Sequence, residues 1–517
     1  MFSCVVTGAI RGIDSYMLRI ETDISDGLPV FSMVGSVSSQ VRESEERIRV
    51  ALKNTGIHLP PKRITINFMP ADIPKRELTA DLPMAIGLLE AMGYLEINAA
   101  GGILILGGLS LDGEVTPIRG VLPMVRQAAA EGIHTILLPK ENVKEAAAWN
   151  SVHAIGVRTL KETIRFLKLS EEERKREFAL QTADGNSEET WKEAPFPADF
   201  QDICGQNGVK RALEIAAAGF HNVLMIGPPG SGKSMMAKCL PGILPPLSTE
   251  EQLELSSIYS IAGKLPPEQP LIRMRPFLAP HHSITQQALV GGGTYPKPGI
   301  ISLAHRGVLF LDELPEFKRE NLNLLRQPLE EQHIVISRST GNYDFPAEFM
   351  LIAAANPCPC GYYPDGKCTC TQAEIQHYQN RIPGPILDRM DITVDTPKVC
   401  IDSLLNKKKA EKSSNIRRRV MMARERQKKR FFDENIVFNA EMTVAQTDFH
   451  CALGANEKSF MKQIFTQMNL SARAYYRILK VARTIADLDD ADRISEEHLA
   501  EAVSYRGVEC GGRRDSV

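Results

Sequence analysis

The chain has 517 residues, which is too long for a single hydrophobic core and predicts about two to four domains. Its composition (43% hydrophobic, 24% charged) is typical of a soluble globular protein, and its net charge of −2 excludes a chain-wide basic surface, so any contact with nucleic acid must come from local patches. No apolar run reaches the roughly 18 residues of a membrane helix and no signal peptide pattern is present, so we expect a cytoplasmic protein that does not enter a membrane.

The first 168 residues predict a mixed α/β domain, and an exposed linker follows it. Apolar runs of strand length alternate here with helical stretches. The predicted strands are 64–68, 103–106 and 135–138, and the predicted helices lie near 38–54, 82–92 and 120–131. Residues 169–195 begin with charged side chains and continue with polar ones, which is typical of a linker.

A complete phosphate-binding loop occupies residues 227–234, directly after an apolar run that predicts a short strand. Its glycines let backbone N–H groups close around phosphates, while Lys233 reaches the β- and γ-phosphates and the Ser234 hydroxyl can hold Mg²⁺. The loop therefore predicts binding of ATP or GTP. The predicted nucleotide-binding residues are Gly227, Pro228, Pro229, Gly230, Ser231, Gly232, Lys233 and Ser234.

A second motif predicts what happens to the nucleotide. The apolar run Val308–Leu311 has the length of a buried strand and ends in Asp312 and Glu313. Asp312 is positioned to orient the water shell of Mg²⁺, and Glu313 to polarise the attacking water. Together with the phosphate loop, this motif predicts nucleotide hydrolysis.

Four of the ten cysteines form one cluster, Cys358, Cys360, Cys368 and Cys370. A turn sequence between the two Cys-x-Cys pairs would bring them together, and four thiolates make a closed, structural Zn²⁺ site without the open position of a catalytic metal. Because structural sites usually space each pair more widely, four reduced thiols without metal are the alternative.

The pattern from about residue 401 to 517 is helical. It begins with residues 407–430, in which twelve basic side chains stand against two acidic ones. This one-sided stretch is a candidate phosphate-binding surface, and a solvated helix face is the alternative.

Longer motifs resemble a known family. Asp-Ile-Cys-Gly-Gln at 202–206 resembles the adenine-side motif of AAA+ ATPases. Ala-Pro-His-His-Ser at 279–283 and Ile-Ser-Leu-Ala-His-Arg-Gly at 301–307 resemble the magnesium-chelatase-like branch. Ala-Ala-Asn-Pro-Cys-Pro-Cys-Gly at 354–361 is similar to the ComM/YifB family within that branch, and the resemblance covers nearly the whole chain.

The resemblance implies an α/β fold in three parts separated by the linker at 169–195. These are a Lon-protease-like (ribosomal S5 domain 2-like) amino-terminal domain at 1–168, an AAA+ P-loop core at 196–400 and a helical carboxyl-terminal lid at 401–517.

The resemblance also implies catalytic roles. Asn356 resembles sensor 1, which orients the attacking water, and Arg389 resembles the arginine finger that reaches a neighbour's site and stabilises transition-state charge. Arg473 resembles sensor 2, with Arg477 as the alternative one turn later. A finger supplied by a neighbour requires a ring, and members of this branch are typically hexamers.

Stretches at 112–118 and 132–142 look like the Lon-type domain, but the catalytic dyad of the protease is not preserved. Where the protease has its serine, this chain has Thr79, and where it has its lysine, this chain has Leu122. Thr79 could act as a nucleophile only beside a base, and Leu122 offers no nitrogen. We therefore expect a structural or assembly role for this domain.

The segment 330–346 predicts a strand, a turn at 340–342 and a second strand, at the place where this branch inserts a hairpin that faces the pore and grips DNA. Arg338 is the candidate phosphate contact on this hairpin. Residues 277–300 resemble the second pore insertion, where Lys297 is the candidate contact and a merely flexible glycine-rich loop is the alternative.

The leading hypothesis is a hexameric, ATP- and Mg²⁺-dependent DNA motor that acts on single-stranded, duplex or branched DNA in recombination and natural transformation. A chelatase-type ATPase chaperone that remodels a protein partner is the alternative. An ATP-dependent protease is a third possibility, against which Leu122 argues.

Overall fold

The computed structural model describes residues 1–36, 38–71, 80–170, 172–177, 196, 198–266, 269–293, 296–339, 341–398 and 410–506. They form an amino-terminal α/β unit, a second α/β unit around a parallel sheet, and a carboxyl-terminal group of helices. In these ranges no helix combines the length and the apolar character needed to cross a membrane.

The strands of the amino-terminal unit are β1 (Phe2–Arg11), β2 (Asp14–Ser25), β3 (Phe31–Val34), β4 (Arg63–Met69), β5 (Ile103–Ile105), β6 (Gly108–Leu109), β7 (Val115–Thr116), β8 (Thr135–Pro139) and β9 (His153–Val157). Seven of them form one sheet in the order β3-β4-β2-β1-β5-β8-β9, while β6 and β7 pair separately. Alternation sets the faces of β4, in which Ile64, Ile66 and Phe68 are buried. The strands predicted at 64–68, 103–106 and 135–138 are β4, β5 and β8; β1, β2, β3, β6, β7 and β9 are additional.

The α-helices of this unit are Ser39–Arg42, Ser44–Asn54, Asp81–Ala91, Val121–Ala130, Val143–Ala147 and Leu160–Lys168. The stretch predicted as one helix near 38–54 is therefore two helices. Asp81–Ala91 is buried along its whole length, because it packs between the sheet and its neighbouring helices. A buried helix of this kind has no polar face for periodicity to detect.

The second unit contains β10 (Val223–Ile226), β11 (Phe277–Leu278), β12 (Gly291–Gly292), β13 (Lys297–Pro298), β14 (Val308–Leu311), β15 (His333–Arg338), β16 (Gly341–Pro346), β17 (Met350–Ala355) and β18 (Ile392–Asp395). Five of these strands form a wholly parallel sheet in the order β11-β14-β17-β10-β18. The other four form two antiparallel insertions, β12–β13 and β15–β16. Parallel strands covered on both faces are apolar throughout, as β10, β14 and β17 are.

The α-helices of this unit are Asn207–Gly219, Lys233–Cys239, Thr249–Ala262, Gln286–Val290, Ile300–Leu303, Arg319–Leu324, Arg326–Glu331, Gln372–Gln379 and Gly384–Leu387. Those of the carboxyl-terminal group are Ser413–Arg430, Val444–His450, Ala455–Gln467, Ala472–Leu488 and Glu496–Ser504.

The carboxyl-terminal helices share a hydrophobic core with the parallel sheet. Ile478 and Ile485, on helix Ala472–Leu488, lie in the same buried cluster as Val223 of β10 and Ile352 of β17. Helix Asn207–Gly219 lies in this cluster as well, so the helical group is packed onto the sheet rather than tethered to it.

The amino-terminal unit contacts the second unit through helix Thr249–Ala262 and through the β15–β16 hairpin. Ser260, near the end of helix Thr249–Ala262, donates a hydrogen bond to the buried carboxylate of Glu145. The turn between β1 and β2 lies against the β15–β16 hairpin, where a methyl group placed on Gly341 would be 2.7 Å from Arg11 Nη2. Burial raises the pKa of Glu145, although its hydrogen bonds oppose that shift.

Helix Thr249–Ala262 also holds the amino ends of β11 and β14. Glu251 pairs with Arg275, which comes just before β11, at 3.1 Å. Glu254 pairs with Arg306, just before β14, at 3.3 Å, and Arg306 Nη1 lies 2.5 Å from a carboxylate oxygen of Glu348. One helix therefore links the amino-terminal unit to two strands of the sheet.

The contact between helix Asn207–Gly219 and helix Ala472–Leu488 provides a test of the packing. A methyl group at Gly219 would lie 2.3 Å from His221 Nε2 and 2.5 Å from Thr484 Oγ1, two atoms that form a hydrogen bond of 2.8 Å. We expect Gly219→Ala to lower the free energy of unfolding by about 1–3 kcal/mol in denaturant titrations, because the buried pair must move apart. Gly208→Ala in the same helix is the control, since a methyl group there meets open space. Equal stability of the two variants would contradict this packing.

Candidate nucleotide-hydrolysis site

The predicted phosphate loop joins β10 to helix Lys233–Cys239 at the carboxyl edge of the parallel sheet. Gly230 and Gly232 have φ angles of 75° and 89°, a region that residues with a side chain rarely adopt. The loop is tied to the next strand, because Gly227 N donates to Ala355 O of β17 at 3.1 Å. The backbone therefore has the turn that a phosphate-binding loop needs.

Lys233 is almost fully buried in this loop, with 8% of its surface exposed. Its Nζ donates to the carbonyls of Gly227 and Pro228 at 2.6 and 3.0 Å and to Asn356 Oδ1 at 3.2 Å. Burial lowers the pKa of Lys233, and Asp312 and Glu313 oppose that shift. Asn356 follows β17, the neighbour of β10, so the sheet brings these two predicted site residues together.

The two residues predicted to hold Mg²⁺ also meet. Ser234 Oγ donates to Asp312 Oδ2 at 2.6 Å, although 78 residues separate them in sequence. A hydroxyl and a carboxylate oxygen at this spacing fit a hard cation that binds oxygen ligands and keeps several of its waters.

Glu313 has a positive φ angle of 52°, and about half of its side chain is exposed, at the edge of the site. The sequence prediction missed its neighbour His282, whose Nδ1 lies 3.7 Å from Glu313 Oε2. His282 follows β11, and because β11 is parallel to β14, their carboxyl ends reach the same edge. A histidine after a strand adjacent to β14 is the signal that could have found it.

Three buried polar atoms beside the loop lack a hydrogen-bond partner among the described residues. They are Gln206 Oε1, Ser231 Oγ and Thr396 Oγ1. Gln206 Nε2 already donates to Pro397 O, and the Thr396 backbone approaches Gly227 closely. Unpaired buried polar atoms are costly, so their grouping beside the loop is consistent with a polar ligand there. Thr396 was not predicted.

Arg389 is turned into its own chain rather than toward solvent. It is 8% exposed, forms an ion pair with Glu330 and donates to Pro385 O. Burial lowers the pKa of Arg389, and Arg326, Arg477 and Arg473 add to that shift. The sequence prediction of an arginine that reaches a neighbour did not foresee the pairing with Glu330.

The two candidate sensor 2 arginines differ in environment. Arg473 is 73% exposed and lies 3.7 Å from Asp388, whereas Arg477 is mostly buried and lies 3.6 Å from Asp391. His221, Arg477 and hydrogen bonding lower the pKa of Asp391 to about 2 despite its burial. Neither arginine contacts the phosphate loop in the described part of the chain.

The four clustered cysteines are brought together, with their sulfur atoms all within 4.8 Å of one another. Cys358 Sγ lies 3.3 Å from Cys360 Sγ and 3.8 Å from Cys368 Sγ. The segment that holds these cysteines, Cys358–Cys370, is called the cysteine knuckle. It packs on the phosphate loop, as shown by the 2.5 Å that would separate a methyl group at Gly361 from Pro229 Cδ. The short Cys-x-Cys spacing therefore does not prevent the sulfurs from converging.

The two insertions lie side by side and enclose a groove of about 720 Å³. Arg338 pairs with Gly341 near the tip of the β15–β16 hairpin, and Lys297 is exposed on β13. The 340–342 turn and the second insertion are described only in part, since Thr340 and Thr294 lie outside the described residues. Polar lining groups of the groove come from Gln286, Gln287, Ser337, Arg338 and Ser339.

The basic stretch is helical from Ser413 to Arg430, while residues 407–409 lie outside the described part of the chain. Several of its arginines are engaged internally. Arg426 pairs with Asp490 and Asp492, Arg430 pairs with Asp487, and Arg424 is half-buried over the ring of Phe438. Burial lowers the pKa of Arg424 to about 9. Neither sequence interpretation, a phosphate surface or a solvated face, anticipated these internal roles.

Of the two positions predicted to correspond to the protease dyad, the structure describes Leu122 alone. Leu122 is buried, and its N–H donates to Glu145 Oε1 at 3.0 Å. Thr79 lies outside the described residues.

The hydrolysis site yields a two-variant test. We expect Lys233→Ala to abolish ATP binding, because it removes the ammonium beside the loop carbonyls. Glu313→Gln should bind ATP but lose most turnover, on the order of a hundredfold or more, because the amide cannot polarise water. Nucleotide binding and phosphate release measured on both variants check this. Wild-type hydrolysis by Glu313→Gln would contradict the predicted role of Glu313.

Comparison with known proteins identifies the family. A model of magnesium chelatase subunit ChlI matches residues 199–404, a model of its carboxyl-terminal part matches 410–506, and a model of subunit ChlI of Mg-chelatase matches 20–142. Competence protein ComM of Haemophilus influenzae is 39% identical over 98% of this chain and 97% of its own, and YifB of Escherichia coli is 40% identical with the same coverage. The magnesium-chelatase 38 kDa subunit of Cereibacter sphaeroides is 26% identical over 32% of this chain and 53% of its own. This chain therefore belongs to the ComM/YifB family of magnesium-chelatase-like AAA+ ATPases.

Proposed function

We propose that this protein is an ATP hydrolase that moves along DNA as a ring of six copies and drives helicase or branch-migration steps in homologous recombination and natural transformation. The observation that carries this proposal is the groove between the two insertions, which is lined by Arg338 and by several uncharged polar groups. The name of the Haemophilus relative, a competence protein, supports the connection with DNA uptake.

The residues at the sheet edge divide the chemistry of hydrolysis among them. Lys233 binds the β- and γ-phosphates, Glu313 polarises the attacking water and Asn356 orients it. Ser234 and Asp312 are the residues that would hold Mg²⁺, which neutralises phosphate charge when it is bound. His282 positions the Glu313 carboxylate from the neighbouring strand.

The proposed ring gives the arginines a role. The hydrogen bond and ion pair of Arg389 are with Pro385 and Glu330, not with its own phosphate loop. A guanidinium that serves hydrolysis from this position acts on the next copy, and Arg473 or Arg477 serves as the sensor in the carboxyl-terminal lid. A closed ring satisfies this head-to-tail arrangement for every copy.

The exposed cations of the two insertions suit the backbone of a nucleic acid strand, although the groove is also lined by Val290, Leu324, Val335 and Ile336. Arg338 and Lys297 are exposed on the two insertions, and cations at such positions bind phosphate without reading sequence. Gln286 and Gln287 on the adjacent helix add uncharged donors. DNA of any sequence, single-stranded, duplex or branched, is therefore the proposed substrate.

Removal of Arg338 tests the DNA contact. We expect Arg338→Ala to weaken DNA binding and to reduce the slope of log K against log salt concentration by about one, because one phosphate contact is lost. Titration of labelled single-stranded, duplex and four-way DNA at several salt concentrations measures this. The control is Arg493→Ala, an exposed arginine in the carboxyl-terminal group.

An unchanged salt slope in Arg338→Ala would remove this residue from the DNA site. A wild-type protein whose ATPase responds to none of these DNAs would favour the alternative function, a chelatase-type ATPase that remodels a protein partner. The partial match to the magnesium-chelatase subunit is the observation that supports this alternative.

The cysteine knuckle is a proposed structural zinc site. Four sulfurs within 4.8 Å of one another match a closed tetrahedral set of thiolates, and Cys358 is fully buried. Zn²⁺ bound there supplies cross-linking rather than catalysis.

The zinc proposal has a direct measurement. We expect elemental analysis of protein purified without chelator to find about one zinc per chain. Cys370→Ser should lose most of that zinc, whereas Cys4→Ser, on β1, should keep it. Absence of zinc from the wild-type protein, or equal zinc in the two variants, would contradict the proposal.

We propose that the amino-terminal domain is a Lon-like platform without protease activity. Leu122 occupies the lysine position, and its backbone N–H donates to Glu145. Glu145 in turn accepts the hydroxyl of Ser260 from the ATPase core. The region that corresponds to the protease active site thus contributes to the contact between the two domains.

A further inference from the structure

The ion pair between Arg389 and Glu330 joins two parts of the chain that the hydrolysis mechanism does not connect. Arg389 lies between helix Gly384–Leu387 and β18, whereas Glu330 lies in helix Arg326–Glu331. The guanidinium is 8% exposed and its Nε has no partner among the described residues, while about half of the Glu330 side chain is exposed. The carboxylate therefore covers a guanidinium that is only partly satisfied.

Glu330 is the acid available to this guanidinium among the charged groups around it. Arg326, Arg473 and Arg477 lie close enough to act on Arg389 electrostatically. Two neighbouring acids are already engaged, since Asp388 lies 3.7 Å from Arg473 and Asp391 lies 3.6 Å from Arg477. A cluster rich in arginine needs an anion, and Glu330 supplies it within the chain.

Glu330 also lies at the base of the pore hairpin. Gln332 ends its helix with a positive φ angle of 60°, and β15 begins at the next residue. Gln332 O accepts from Ala347 N at 2.7 Å, which closes the hairpin base. Glu330 is therefore three residues from the start of the strand that carries Arg338.

The hairpin and the segment that carries Arg389 share one core. Ile334 and Phe345 of the hairpin lie in the same buried cluster as Ile386 and Met390, which flank Arg389. Because close-packed interiors transmit displacement, we expect a shift of one segment to reach the other.

We propose that Glu330 is a positioning residue that holds Arg389 in its own subunit until ATP in the neighbouring subunit competes for the guanidinium, and that this exchange links the neighbour's nucleotide state to the pore hairpin. The inference rests on the proposed ring and on Arg389 as the residue that acts in trans. A triphosphate presents more negative charge than one carboxylate, so it can displace Glu330 from Arg389. Breaking the existing ion pair costs part of the binding free energy of ATP. By linkage, the Glu330 carboxylate lowers the affinity of the ring for ATP. Conversely, bound ATP releases Glu330 and with it helix Arg326–Glu331, which leads into the hairpin.

The test uses Glu330→Gln in the full chain, with Glu331→Gln as the matched control. Glu331 is the next residue, is exposed and pairs with His333 rather than with Arg389. We expect Glu330→Gln to lower the KM for ATP at least about fivefold without DNA, because the competing charge is gone. The ratio of DNA-stimulated to basal ATPase should fall toward one, and Glu331→Gln should match the wild type in both.

Two further variants separate positioning from a structural role. Glu330→Asp keeps the charge and should stay nearer to the wild-type KM, and thermal unfolding of each variant shows whether the fold is intact. In the Arg389→Ala background, Glu330→Gln should change the Kd for ATP by less than about twofold, because Glu330 acts through Arg389. An equal effect of Glu330→Gln with and without Arg389, or values for Glu330→Gln equal to those of Glu331→Gln, would overturn the inference.

Mixed rings separate this inference from the function on which it rests. Mixing Arg389→Ala with Lys233→Ala subunits creates some interfaces with an intact loop and an intact arginine. If that mixture recovers no hydrolysis, action in trans fails and the inference fails with it. If the mixture recovers hydrolysis but Glu330→Gln behaves as wild type, only the role of Glu330 is wrong. If no DNA stimulates the wild type, the DNA motor fails while the KM comparison still tests Glu330.

Discussion

The parallel sheet is the constraint on which the rest of this protein depends. Its five strands run in one direction, so residues that follow different strands meet at one edge. Lys233, Asp312, Asn356 and His282 reach the same edge from four segments far apart in sequence. The apolar strands β10, β14 and β17 provide the buried core that holds these polar residues in place. The burial of Lys233 is tolerated because loop carbonyls and Asn356 satisfy its ammonium.

The parts of this site that could be predicted from the sequence are those formed by residues adjacent in the chain. A strand, a glycine-rich turn and a helix identify the phosphate loop, and a strand that ends in two acids identifies Asp312 and Glu313. Thr396 and Glu330 could not be found in this way, because their importance comes from contacts across the fold, and His282 lay in the 279–283 motif without being given a role. Family resemblance located Arg389 but not its pairing with Glu330.

The carboxyl-terminal helices show a second limit of sequence reasoning. Twelve basic residues at 407–430 suggest a charged surface, yet the sequence does not say which of them find partners. Asp487 and Asp490, which pair with Arg430 and Arg426, are distant in the chain. In the amino-terminal unit, β5 and β8 were predicted from short apolar runs and β4 from its alternation of apolar and polar residues, whereas the pattern of β1 and β2 is too irregular to stand out.

Helix Thr249–Ala262 has a mechanical consequence. At one end Ser260 binds Glu145 of the amino-terminal domain, and at the other Glu251 and Glu254 hold the arginines that precede β11 and β14. The helix therefore connects the amino-terminal domain to the amino ends of β11 and β14. His282 and Asp312 follow the carboxyl ends of these two strands. A rotation of the amino-terminal domain would tilt these strands without touching the nucleotide.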